Sequence, residues 1–99
     1  MQLPERSVLV LTSLAGADRH GYALIKDIEE IAGVTLGPGT LYGALSRLEK
    51  RGLVEALPAA DRRRPYRITM AGSEAVRAYL EHVRQVATAG LRRLAVAGA

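Results

Sequence analysis

A mainly α fold with one small β-hairpin (α+β) is what this sequence predicts, and three observations predict it. Apolar residues recur at helical spacing in four segments of the 99-residue chain. One pair of short alternating runs, Leu53 to Leu57 and Tyr66 to Thr69, reads instead as two strands around a proline-bounded loop. The last helical segment keeps its apolar spacing beyond the length that a domain of this size covers.

Pro4 opens the first helix with Glu5 in its first turn, and Val8, Leu11 and Leu14 face inward until Gly16-Ala17-Asp18 breaks it. The second helix starts around His20-Gly21-Tyr22 and ends at Gly33. Leu24, Ile25, Ile28 and Ile31 form its apolar stripe, while Lys26, Asp27, Glu29 and Glu30 are solvated. Val34-Thr35-Leu36 is an extended link. In the third helix Leu41, Leu45 and Leu48 fall at i, i+4 and i+7. Pro38 and Gly39 shape the turn before it, Thr40 is the candidate cap, and Gly52 stands where a helix commonly stops.

Residues Pro58 through Pro65 form the hairpin loop, with proline kept out of the paired positions. Thr69-Met70-Ala71-Gly72-Ser73-Glu74 then turns into a last helix that runs towards Leu94, with Ala95 to Ala99 fraying. Val76, Leu80, Val83, Ala87, Gly90 and Leu94 follow a 4-3-4-3-4 spacing, as an inter-helix seam does, and Tyr79 and Val86 widen the stripe. About 20 residues rise roughly 30 Å, so a second copy of the chain is expected to cover the projecting face. Two helices joined by a tight link and followed by a hairpin make a winged helix-turn-helix. Residues 1–72 are read as that domain and 73–99 as a long C-terminal dimerisation helix, the two forming one compact unit.

Bulk properties narrow the function. The sequence has no cysteine, which excludes disulfides and thiolate zinc sites. Its two histidines stand 62 residues apart without companion ligands, so no metal and no cofactor is expected. The longest apolar run, Val8 to Leu11, is too short for a bilayer, and no signal peptide is recognised; a soluble, cytoplasmic protein without membrane contact is the expectation. Ser13, Ser46 and Ser73 lack a nearby His, and no nucleophile–base pair or phosphate loop is present, so no catalytic residue is assigned and an enzyme is not expected. Net charge is +4 with a pI near 10.0. Between Arg47 and Arg67 seven Lys or Arg face three acids, so this one segment carries a charge equal to that of the whole chain. A polyanionic partner is favoured.

The third helix and the hairpin together outline a DNA-reading module. Amides around Gly39, Thr40 and Leu41 suit a phosphate at the positive end of the helix dipole. Ser46 and Arg47 on the outward face suit base edges, Arg47 bidentately to guanine. Gly43 costs roughly 1 kcal/mol relative to Ala in a helix, which suggests close approach to a groove or a base methyl. Arg62, Arg63 and Arg64 on the wing suit flanking phosphates or the minor groove. Plainer readings stand beside these: a solvated loop for the wing arginines, a half-buried core position for Tyr42, and surface pairing with Glu for Arg47. The competing function is a winged-helix adaptor that binds protein and no nucleic acid, although an adaptor has no need of three wing arginines.

His20-Gly21-Tyr22-Ala23-Leu24, the run Leu36 to Leu45, Arg47-Leu48-Glu49, Gly52-Leu53-Val54 and Tyr66-Arg67-Ile68-Thr69-Met70-Ala71-Gly72 together resemble the PadR-like family of bacterial transcriptional regulators. The resemblance covers roughly residues 8 to 73, and the single C-terminal helix is similar to the compact branch of that family. It implies a dimeric repressor of an inverted-repeat operator in double-stranded DNA, with the third helix in the major groove and the wing, including Tyr66, against the backbone. It also implies phosphate contacts by Tyr42 and the start of the third helix, while the seam spacing itself makes Val76, Tyr79, Leu80, Val83, Val86, Ala87 and Leu94 the candidate homodimer interface. A small hydrophobic or phenolic effector near the dimer interface is a further implied partner, although the tryptophan on which drug-binding relatives stack ligands is absent here.

Overall fold

The computed structural model describes residues 3–98. Its elements run α1 (Glu5–Gly16), β1 (Arg19–His20), α2 (Gly21–Ala32), α3 (Pro38–Lys50), β2 (Val54–Ala56), β3 (Pro65–Ile68) and α4 (Met70–Ala97). The apolar spacing becomes a single core. Val8, Val10, Leu11 and Leu14 of α1 meet Leu24 and Ile28 of α2 and Leu41, Ala44, Leu45 and Leu48 of α3. Leu53, Val54 and Val76 close it from the hairpin and α4. Each of its fully buried leucines contributes roughly 1.5–3 kcal/mol relative to exposure. Ile31, expected in the α2 stripe, is instead 50% exposed, as the whole last turn of α2 from Glu29 to Ala32 is open to solvent.

The helix boundaries have local causes. The side chain of His20 accepts the Ala23 N–H at the start of α2. Gly33 takes φ 66° at its end and donates to the Glu29 carbonyl, which reverses the chain into α3. Thr40 does not cap α3. Pro38 has the φ a first helical residue needs, so the helix starts there with Gly37 as its cap residue and no side-chain cap, leaving Thr40 inside the first turn. Gly52, at φ 73°, follows the last turn of α3 as expected.

The hairpin is part of a three-stranded antiparallel sheet ordered β1-β3-β2. β2 and β3 pair as Val54 with Ile68, Glu55 with Arg67 and Ala56 with Tyr66, while β1 adds Arg19 opposite Tyr66 and His20 opposite Pro65. Two residues are too few to show alternation in the sequence, so β1 had no local signal. Pro65 lies within β3 and not in the loop. It is the strand's first residue and offers its carbonyl to the Leu57 N–H, so its missing donor is not needed.

Thr69 locks the hairpin to α4. Its Oγ1 accepts from the Gly72 N–H at 3.0 Å and donates to the Gly52 carbonyl at 2.7 Å, and its N–H reaches the Leu53 carbonyl at 3.1 Å. The helix is continuous across residues 72 and 73, with Gly72 and Val76 buried and Ala75 and Tyr79 packed on the core. It runs for 28 residues, and Ala95 to Ala97 are helical instead of frayed. At about 1.5 Å per residue it spans roughly 42 Å. It thereby sets the long dimension of a 56 × 25 × 20 Å molecule.

Candidate nucleic-acid interface

One face of α3 is committed to the core through Leu41, Ala44, Leu45 and Leu48, and helical geometry turns Gly39, Tyr42, Gly43, Ser46, Arg47 and Lys50 the other way. Gly39, Thr40, Tyr42, Ser46 and Arg47 are exposed and Gly43 is half-exposed. No side chain caps the start of α3, so the first-turn amides of Gly39 and Thr40 face outward at the positive end of the helix. A Cβ on Gly43 would meet only Nη1 of Arg47, at 3.5 Å. Nothing among the described residues therefore demands glycine there. Arg47 forms no ion pair among the described residues.

Tyr42 is 50% exposed, yet its phenol does not hang free. It rests over Gly21 at the start of α2, where an added Cβ would lie 2.2 Å from the phenol oxygen. Gly21 is thus the seat that fixes the direction of Tyr42, a role with no signal in the sequence because the two residues are far apart. Tyr66 is half-buried against the core, so only part of it is available to a ligand. Burial raises its phenol above the ordinary tyrosine value, the Glu49 carboxylate and the Tyr42 phenol add to this, and Arg64 opposes it. Tyr66 therefore stays a neutral hydrogen-bond donor at physiological pH.

The wing ends in a two-residue turn. Ala60 and Arg63 exchange both backbone hydrogen bonds, at 2.8 and 2.9 Å, and Asp61 and Arg62 between them hold φ at 50° and 64°. The turn raises Arg62, Arg63 and Arg64 into solvent, and none of the three forms an ion pair among the described residues. Arg67, lower on β3, is held by Asp18 at 3.4 Å and Glu55 at 3.7 Å. The hairpin thus neutralises the cation at its base and leaves those at its tip unpaired. Arg63 also places Nη1 3.4 Å from Nε2 of His20, a contact across 43 residues that the sequence did not suggest.

On α4 the seam divides. Val76 is 4% exposed, being part of this protomer's own core, and Tyr79 packs against that core. The portion left open to another chain starts later, because the globular part ends there. Leu80 and Val83 are 40% exposed, Val86 57% and Leu94 70%, with Ala87 also exposed. No helix of the described residues is long and apolar enough to cross a membrane, and no group of three or more His, Asp or Glu among them is placed to hold a metal ion.

Three helices around one core, a recognition-type helix with an open polar face and a basic-tipped hairpin beside it define a winged helix-turn-helix protein. The sequence profile of the transcriptional regulator PadR-like family matches residues 10–78. The chain belongs to that family. A protein of 37.1 kDa in transposon TN4556 of Streptomyces fradiae is 47% identical over 74 residues, covering 75% of this chain, which spans only 21% of that relative. Among solved structures, a PadR family transcription regulator from Clostridium difficile superimposes with a TM-score of 0.81 at 23% identity, over 92% of this chain and 99% of that one. RosR of H. salinarum gives 0.75 at 33% identity, over 83% and 74% of the two chains. A PadR-like regulator from Bacillus cereus gives 0.77 at 24% identity, over 89% of each.

Proposed function

We propose that this chain regulates transcription by binding double-stranded DNA as a homodimer, and that it acts as a repressor at an inverted-repeat operator. The observation that carries this is the unpaired charge of the wing tip: Arg62, Arg63 and Arg64 stand free of acidic partners among the described residues, while Arg67 at the base is neutralised. Solvent-exposed cations without partners suit a polyanion. The α3 amides at Gly39 and Thr40 and the seated Tyr42 would then hold phosphates and set the register. Gly43, Ser46 and Arg47 would read base edges in the major groove. A dimer built on the open part of α4 would place two such helices in half-sites about 34–36 Å apart. A depression lined by Leu3, Ala75, Ala78, Tyr79 and His82 would offer a small hydrophobic or phenolic effector its aromatic contact through Tyr79.

Replacing Arg62, Arg63 and Arg64 together with Ala tests the reading. Affinity should fall for every DNA sequence, and the slope of log affinity against log salt should shrink by roughly one unit per arginine. Unchanged affinity would remove the wing from the interface. A wild-type chain that retards no duplex even at low salt would instead favour the protein-binding adaptor.

A further inference from the structure

His20 stands where three elements meet. It caps α2, pairs with Pro65 as the second residue of β1, and faces the wing tip. Its Nδ1 lies 3.4 Å from the Ala23 N–H and its Nε2 3.4 Å from Nη1 of Arg63. Both partners can only donate. A neutral imidazole carries one ring proton and so offers one acceptor nitrogen, not two. With the proton on Nε2 the cap of α2 is satisfied and Arg63 meets an N–H; with the proton on Nδ1 the reverse holds. The two contacts exclude one another.

We propose that His20 is a positioning residue that stores Arg63 in the free protein and releases it to a DNA phosphate, the same ring then turning fully to capping α2. This rests on the DNA-binding role proposed above for the wing. The cleft between α2 and the wing also presents Arg19, Lys26, Asp27 and Glu30. Arg19 approaches Asp27 at 3.6 Å, which also accepts from Ser13, and Lys26 lies over the Tyr22 ring. Arg63 forms no ion pair among the described residues, which leaves the imidazole as its acceptor. Because Gly21, the seat of Tyr42, directly follows His20, capture of Arg63 by DNA would firm the start of α2 under Tyr42. The wing and the reading helix would thereby be coupled.

The imidazole ¹⁵N shifts of the full chain, recorded near pH 8, report the His20 tautomer. Without DNA, Arg63→Ala should shift His20 towards the Nε2–H form. Wild type saturated with a mixed-sequence duplex of about 30 base pairs at low salt should move the same way. His20→Asn keeps a capping oxygen but gives up the ring contact with Arg63. It should bind that duplex about two- to three-fold more tightly than wild type, since a modest hydrogen bond no longer competes for the arginine. In an Arg63→Ala background the same substitution should change nothing. A residue that merely supported the fold would weaken binding when replaced. Identical ring shifts in wild type and Arg63→Ala, or weaker binding by a His20→Asn variant that melts like wild type, would overturn the proposal. A wild-type chain that does not bind the duplex would overturn the DNA-binding reading, and the DNA-free comparison would still decide whether His20 holds Arg63.

Discussion

Arg62 occupies the second place of a turn that usually goes to glycine. With φ at 64° it is left-handed, as is Asp61 at 50°, and such two-residue hairpin turns favour Asn-Gly. An L side chain there costs on the order of 1 kcal/mol. Arg62→Gly should therefore raise stability by about 0.5–1 kcal/mol in denaturant unfolding while lowering affinity for DNA. Gain of stability with loss of binding is the signature of a side chain kept for its partner. At Gly21 the demand is steric. Gly21→Ala places a methyl 2.2 Å from the Tyr42 phenol oxygen, so the ring must swing away. If Tyr42 holds a phosphate as proposed, DNA binding should weaken by about three- to tenfold, and displaced Tyr42 ring resonances should accompany the loss. Gly43 is the counter-example. No neighbour among the described residues requires it, so its cost of roughly 1 kcal/mol within a helix has no explanation inside the fold.

Among the elements, α4 has the most exacting joint. A Cβ on Gly72 would fall 2.1 Å from the Leu53 carbonyl oxygen and 2.9 Å from Cγ1 of Ile68, and backbone cannot give way as a side-chain tip can. Gly72→Ala should cost about 2–3 kcal/mol, a drop of roughly 10 °C or more in Tm by calorimetry. The four helices were legible because each buries a stripe at 3.6-residue spacing, and Gly33 and Gly52 marked their ends correctly. The start of α3 differs from its sequence signal. Thr40 has the chemistry of a cap, but Pro38 already has helical φ two residues earlier, and backbone preorganisation outweighed a hydroxyl. β1 was missed because two residues carry no period, and only their pairing with β3 makes Arg19 and His20 a strand.

At the scale of the whole molecule, the globular part and the projecting helix have different surfaces. Beyond Tyr79 every residue of α4 is exposed, including Leu80, Val83, Val86, Leu91 and Leu94. An apolar row of this length along one helix calls for a partner, and a closed two-fold pairing of identical helices is the simplest. If α4 forms the proposed homodimer, Leu80→Asp or Val83→Asp should leave monomers in sedimentation velocity and greatly weaken binding to the proposed operator. A variant that still sediments as a dimer would move the interface elsewhere.

The sequence by itself determined the helices, the hairpin, the reach of the last helix and the concentration of charge between Arg47 and Arg67. These are properties of neighbours along the chain, where period and composition act. Tertiary structure alone decided which arginines stay unpaired, that Tyr42 rests on Gly21, that Val76 belongs to the protomer's own core, and that His20 stands between Ala23 and Arg63. Each depends on side chains meeting across the sheet or between helices. Such contacts leave no period in the sequence, and only the closing of the fold around its core brings them within reach.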